Sequence, residues 1–370
     1  MVNLKRMGKR VLPLFLFLSG TLSALTSQEF ISWWKSYSQT AEIPPDLLAM
    51  EDYFIRSPMM EDSSVHWNSN NQKNITQIAT YGYLDFKQTV ALSYFTWVVK
   101  GKHPYAENLN NYPIALPKEE LNRKHKYLLE SDSVDYNTVT GKFLSFILQQ
   151  DTNHYLDRLE EPLLGSPLYT VYQGRRVSQD LFNGLLEFIS IDRSVDLKSM
   201  HTILEIGAGS GRSAYVFLKL LEGIKYIIAD VPPALFVSQS YLSEVFPDKK
   251  IFKWREFSSF KEIEEEFSNA DIVFLSTDQI SKLKAHTVDL FLAIDCLHEM
   301  KLTSVKRYIS EAERLSSYFY LKCWKATRVP PDGYLYVWGG YPIPANWTKV
   351  FDQPCVVPSD FFHSLYSIPN

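Results

Sequence analysis

The spacing of apolar positions changes near the middle of the chain. Before residue 160 they recur every three or four residues, as in SQEFISWWKSYSQ, TVALSYFTWVVKG and TGKFLSFILQQ. Stretches rich in Asn and Pro, such as ENLNNYPIALPKEE, separate these segments. That spacing predicts a largely helical region over 29–160. Residues 161–181, EPLLGSPLYTVYQGRRVSQDL, carry turn signals and read as a connector. Ser178 then stands as an N-cap before a helix through LFNGLLEFISI.

From residue 202 short, nearly continuous apolar runs alternate with amphipathic ones. TILEIGAG, YIIADVPP, KIFKWREF, DIVFLSTDQ, VDLFLAIDCLHEM and YFYLKCW read as strands. SAYVFLKLLEG, ALFVSQSYLSEVF, KEIEEEFSNA and SVKRYISEAERL read as the helices between them, the second stopping before Pro247. In the tail, YLYVWGGYPIPANW places Gly339 and Gly340 where they would turn an edge hairpin. Strand–helix alternation with continuously apolar strands predicts an α/β fold, with a mostly parallel sheet covered by helices on both faces. Phe217 and Phe236 fall on core faces of two of those helices. The chain thus divides into a hydrophobic leader over 1–28, a mainly helical accessory region over 29–160, and an α/β domain over 161–370.

Composition narrows the picture in three ways. With 45% hydrophobic and 14% aromatic residues, the chain has ample material for a packed core. A net charge of −4, without a long basic run, argues against nucleic acid as a partner. The three cysteines, Cys296, Cys323 and Cys355, are odd in number and lack metal-ligand spacing, so they read as free buried thiols. The leader points elsewhere. Lys5, Arg6, Lys9 and Arg10 precede VLPLFLFLSGTLSAL, with small residues following, as in a signal peptide. This stretch is short for a spanning helix, which takes roughly 20 residues. Asn74-Ile75-Thr76 and Asn346-Trp347-Thr348 match the glycosylation sequon.

The candidate chemistry sits in ILEIGAGSGRSA. Glu205 ends an apolar strand, and Gly207, Ala208, Gly209 and Gly211 form the turn into the next helix. In a doubly wound sheet ligands bind beyond the carboxyl ends of the strands. A dinucleotide wants G-x-G-x-x-G, but Arg212 occupies the place of its third glycine. S-adenosylmethionine fits better. Glu205 suits its ammonium, backbone N–H groups suit its carboxylate, and Asp230 at the end of the next strand suits the ribose diol. The distance from the glycines to Asp230, about twenty residues, is that of ribose recognition in such folds.

ILEIGAGSGRSA followed by IADVPPAL resembles the class I methyltransferases. GRRVSQDLFNGLLEF, IADVPPALFVSQSYL, and CLHEM followed by YFYLKCW are similar, more narrowly, to the sugar O-methyltransferase family, over roughly residues 160–370. The resemblance implies a Rossmann-like fold, S-adenosylmethionine as methyl donor and a sugar hydroxyl as acceptor. Methyl transfer to oxygen needs a base within hydrogen-bond reach of the hydroxyl. IDCLHEM offers Asp295, His298 and Glu299 just past the fourth predicted strand of that resemblance. His298 resembles the base of small-molecule O-methyltransferases that carry His-Asp-Trp there, with Glu299 orienting it or binding a sugar hydroxyl. Asp278 is placed to accept from the adenine amine, and Trp324, Tyr341 and Trp347 to form a rim over the acceptor. HEMKL is no zinc helix, because Leu302 stands where the second histidine would be. No metal is therefore expected.

Other readings stay open at this stage. One is an O-methyltransferase for another small hydroxylated molecule; another is a non-catalytic cofactor-binding module. An oxidoreductase is disfavoured by Arg212. Because the methyl donor is a cytosolic metabolite, the expected location is the cytoplasm, with membrane-surface association through residues 1–28. The alternative is export through that leader.

Overall fold

The computed structural model describes residues 25–89, 98–101, 103–126, 128–328 and 334–369. The leader up to residue 24 and most of the helix expected in TVALSYFTWVVKG lie outside the described residues.

An eight-stranded sheet organises the second half of the chain. Its strands are β1 (Thr202–Ile206), β2 (Lys225–Asp230), β3 (Ile251–Phe252), β4 (Ile272–Ser276), β5 (Val288–Ile294), β6 (Ser316–Trp324), β7 (Thr348–Pro354) and β8 (Phe361–Ser367). Across the sheet they run β7-β8-β6-β5-β1-β2-β4-β3. The pairs from β3 to β6 are all parallel. β8 is antiparallel to β6, and β7 to β8. The architecture is thus α/β with a C-terminal hairpin. Chain direction reverses its sense of travel at β1, which lies between β2 and β5. A crevice opens at such a point, beyond the carboxyl ends of the strands.

The strands are apolar throughout because both faces are covered. Ile203, Ile228, Phe274 and Leu292 enter one buried cluster, and Leu204, Ile227, Val273 and Phe291 enter the other. This is the two-residue alternation of a strand. Helices α5 (Gln179–Asp192), α6 (Arg212–Leu220) and α7 (Ala234–Val245) cover the first face, and α8 (Leu302–Leu315) covers the second. The Ser178 hydroxyl accepts from Leu181 N at 3.0 Å, capping α5 as its sequence position predicts. α7 ends at Val245, just before Pro247.

The earlier region is helical: α1 (Ser27–Tyr37), α2 (Pro45–Phe54), α3 (Val65–Tyr81) and α4 (Glu130–Gln150) are its longer α-helices among the described residues. It builds no core of its own. Phe30, Trp34 and Ile75 join the second cluster, and Leu47, Phe143 and Ile147 join the first. The first half of the chain therefore packs on both faces of a sheet made by the second half.

Two expectations are corrected. Gly339 and Gly340 do not turn the edge hairpin. They close a short strand, Leu335–Val337, that pairs with Ala326–Arg328 outside the main sheet. The edge hairpin is β7–β8, whose outer strand is largely exposed and so gives little apolar signal. Asn74 of the first sequon lies within α3 and is 3% exposed, so the folded chain closes that site to glycosylation. Among the described residues no helix is long and apolar enough to cross a membrane.

Trp34 is fully buried, and its Nε1 donates to Asp52 Oδ1 at 2.7 Å. Trp34→Ala is expected to cost about 3–5 kcal/mol. In urea, fluorescence and circular dichroism should still report one coincident transition, at a lower midpoint. Two separated transitions would show that the early helices fold apart from the sheet.

Candidate active site

The glycine turn is held by its backbone. Gly207, Gly209 and Gly211 have φ of 64°, 59° and 83°, a region that favours glycine. A Cβ on Gly207 would lie 2.6 Å from the Cβ of Cys296, so this position is closed to larger residues on steric grounds as well. Asp230, 4% exposed at the end of β2, ties the turn to the neighbouring strand. Its carboxylate accepts from Gly209 N at 2.8 Å and from Val231 N at 2.7 Å. Gly207 N donates to Ala229 O and Gly211 N to Ala208 O, each at 3.0 Å. The N–H groups of all three glycines are thus used within the protein. The expectation that backbone amides of this turn receive the donor's carboxylate fails for these three.

A cavity of about 300 Å³ opens on this turn, at the lower end of ligand-site volumes. It is lined by Glu205, Gly207, Ala208, Gly209 and Asp230, and also by Asp295, Glu299, Trp324 and Phe361. The structure therefore brings together seven of the residues singled out in the sequence as donor-binding or catalytic. Gly211, Asp278 and His298 are not among those lining the cavity.

Each of those three has a physical account. Gly211 sits behind the turn, against Leu242. Asp278 accepts from the Tyr53 hydroxyl and, at 2.7 Å, from Ser276 Oγ. Its neighbour Thr277 reaches the cavity instead. His298 is 3% exposed, with its ring beside Trp324 and Phe361 at centroid distances of 6.1 and 6.0 Å. Burial pushes its pKa down to about 3, so the imidazole is neutral and weakly basic. Its Nε2 lies 3.5 Å from Asp295 Oδ1 and 3.7 Å from Glu299 Oε1, behind both carboxylates. Tyr341 and Trp347 are core residues, 7% and 6% exposed, whereas Trp324 does line the cavity.

The acids of the crevice hold protons tightly. Burial raises Glu205 to about 7 against the help of a hydrogen bond from Tyr226 Oη at 2.8 Å. Burial also raises Asp230 to about 7, opposed by its two amide donors. Asp295 rises to about 7 for the same first cause, opposed by Arg212 and Lys322. Asp295 also carries φ of 57°, uncommon for a residue with a side chain, and its N donates to Lys322 O at 2.8 Å. Such backbone strain concentrates at functional positions.

Two features were not legible in the sequence. The first is a roof from the early region, where Phe54, Asp62, Ser64 and Trp67 line the cavity. Ser64 Oγ donates to Glu299 O at 3.3 Å, Lys301 Nζ to Glu61 O at 3.2 Å, and Asp62 pairs with Arg307. These contacts span more than 230 residues, and no local pattern announces them. The second is Arg212, read in the sequence only as an obstacle to a dinucleotide. It lines the cavity while its Nη1 lies 3.1 Å from both carboxylate oxygens of Glu187. Among the described residues no group of three or more His, Cys, Asp or Glu side chains is placed to hold a metal ion.

No protein-family model matches the chain, and no curated protein does. Solved structures align with part of the chain. A methyltransferase from Aquifex aeolicus described as S-adenosylmethionine-dependent aligns at 16% identity, TM-score 0.34, over 50% of this chain and 89% of its own. Mitomycin 7-O-methyltransferase aligns at 13% identity, TM-score 0.36, over 50% of this chain and 54% of its own. Burkholderia thailandensis 1,6-didemethyltoxoflavin-N1-methyltransferase, solved with S-adenosylhomocysteine, aligns at 13% identity, TM-score 0.34, over 52% of this chain and 79% of its own. Likeness at this level is silent on chemistry, which rests on the side chains of the crevice.

The raised acids predict a pH dependence. Unfolded, Glu205, Asp230 and Asp295 ionise near their ordinary values of 4.5, 3.8 and 3.8. Folded, they keep protons up to about pH 7, so their stabilisation is lost as pH rises through 7. His298 and His363, pushed down to about 3 and about 4, act with the opposite sign, but only below their ordinary value of 6.5. From about pH 6.5 to 8 the acids dominate this balance. The melting temperature of ligand-free protein should fall across that window, and Asp230→Asn should flatten the fall. A melting temperature that rises there would contradict the burial argument.

Proposed function

We propose that the chain is an S-adenosylmethionine-dependent O-methyltransferase acting on a hydroxyl of a sugar or glycan precursor. The observation that carries this reading is one cavity lined by Glu205, the glycine turn and Asp230 together with Asp295 and Glu299. The first group suits the donor. Glu205 faces the space as an acceptor for an ammonium, and each Asp230 oxygen, having taken one amide, keeps a lone pair for a ribose hydroxyl. The sharp glycine backbone lets a ligand approach without a Cβ in the way.

When bound, the donor supplies a methyl group activated by sulfonium charge. The protein aligns the acceptor oxygen with that methyl and takes the hydroxyl proton. Asp295 is the base in this reading. It lines the cavity, its strained backbone fixes it to β6, and its proton affinity is matched to neutral pH. Glu299 binds a neighbouring hydroxyl. His298, neutral and packed behind both carboxylates, is a positioning residue, which revises the expectation that it is the base. Trp324 and Phe361 offer apolar faces of the kind that pack on sugar rings. The sugar itself comes from the resemblance of GRRVSQDLFNGLLEF and CLHEM, with these aromatic and acidic groups in support. Cytoplasmic location, with residues 1–28 associating with a membrane surface, belongs to the same proposal.

Calorimetry with S-adenosylhomocysteine and mass spectrometry of glycans made with and without the protein test the reading. A gain of one methyl mass on glycan is the expected outcome. Binding without transfer to any hydroxylated acceptor would favour a non-catalytic module. Asp295→Asn should lower the rate about 10²–10⁴-fold, the range for a lost general base, with fold and donor binding kept. His298→Gln should cost less. The wild-type rate should climb with pH through about 7, as the Asp295 carboxyl gives up its proton. A fully active Asp295→Asn enzyme would exclude the role.

A further inference from the structure

The carboxylate of the donor's amino-acid end cannot use the three glycine N–H groups, which bond within the protein. We propose that Arg212 receives it, with Glu205 beside it taking the ammonium, so that the pair reads the α-amino acid as a zwitterion. This rests on the assignment of S-adenosylmethionine above.

Three observations support the assignment. First, Arg212 is the one basic side chain among the described residues that line the cavity. Second, it belongs to a buried cluster in which one carboxylate is shared by two cations. Glu187, in α5, takes Arg212 Nη1 at 3.1 Å, Lys322 Nζ at 2.8 Å and Ser213 Oγ at 2.9 Å. One carboxylate thus serves two cations. The Lys322 and Glu187 side chains are 4% and 1% exposed, but that of Arg212 keeps 13%. The part of the network still open is thus the Arg212 side chain, which lines the cavity. A buried charge gains most from a desolvated partner with matching geometry, and guanidinium and carboxylate fit each other. Third, the ammonium and carboxylate of an α-amino acid hang on one carbon. Their receivers must therefore be adjacent and opposite in sign. Glu205 closes β1 and Arg212 opens α6 on either side of the glycine turn, and both line the cavity.

Glu187 is then a positioning residue: it fixes the guanidinium from below and leaves its outer face to the ligand. The same arrangement explains why arginine at the place of the third dinucleotide glycine is no obstacle. Close helix packing is supplied instead by Gly184 of α5, where a Cβ would come within 2.9 Å of Val216.

Calorimetry on the whole protein separates the groups with three probes. S-adenosylhomocysteine carries ammonium and carboxylate, its decarboxylated form, 5′-deoxy-5′-(3-aminopropylthio)adenosine, carries only the ammonium, and 5′-methylthioadenosine carries neither. Arg212→Met should weaken S-adenosylhomocysteine about 10–100-fold, the value of a charge-assisted pair, and change the other two less than about threefold. Glu205→Gln should weaken the two probes that carry an ammonium. Arg212→Lys, which keeps the charge and loses the fork, should show the same selectivity to a smaller degree and serves if the methionine variant does not fold. Equal weakening of all three probes, or unchanged S-adenosylhomocysteine binding, would overturn the role of Arg212. Wild-type protein that binds methylthioadenosine as well as S-adenosylhomocysteine would overturn it too, while leaving the nucleoside site intact. Failure of the wild type to bind any of the three would instead remove the assignment of the donor.

Discussion

The carboxylate of Asp230 holds the crevice in shape. It is buried, and burial of an acid without partners is costly. Its two bonds, to Gly209 N and Val231 N, offset that cost and join the turn after β1 to the end of β2. The positive φ of the glycines and the close approach of Cys296 to Gly207 follow from that closure. It also takes the Gly209 amide out of ligand binding, while those of Gly207 and Gly211 are used by backbone carbonyls. Every later statement about the donor depends on which polar atoms this tie uses and which it leaves.

Around the tie, charge is arranged in two layers. The cavity wall carries acids, whose burial shifts their ionisation toward neutrality. Beneath it, Glu187 is shared by Arg212 and Lys322. Arg212 and Lys322 hold the proton affinity of Asp295 below what burial alone would give. One buried network thereby serves both roles. It presents Arg212 to the donor and restrains the base.

The roof explains why the early region cannot be treated as an attachment. Its helices bury Trp34 and Phe30 against the sheet, and the segment from Phe54 to Trp67 covers the crevice. Contacts from Ser64 to Glu299 and from Asp62 to Arg307 anchor that cover to the elements after β5. A crevice at the edge of a doubly wound sheet is open by construction. Here a distant part of the same chain lines it as well.

Local rules made much of the molecule readable. Continuous apolar runs marked β1, β2, β4, β5 and β6, because strands covered on both faces leave no polar period to confuse them. Glycines followed by a helix, with an acid ending the next strand, marked the crevice, because steric freedom and strand polarity are properties of short segments. What depended on distance stayed hidden. The exposed edge strand β7 alternates weakly, so the hairpin was placed at the wrong glycines. Thr277 rather than Asp278 reaches the cavity, a difference set by the contact of Tyr53 with Asp278. His298 carries the right chemistry for a base, but burial takes away its basicity, and burial is decided by what packs on a residue from elsewhere. The sequence alone thus determined the parallel strands and the glycine turn after the first of them. Only the tertiary structure decided which charged groups face the cavity, because ionisation and access depend on neighbours that the chain brings in from hundreds of residues away.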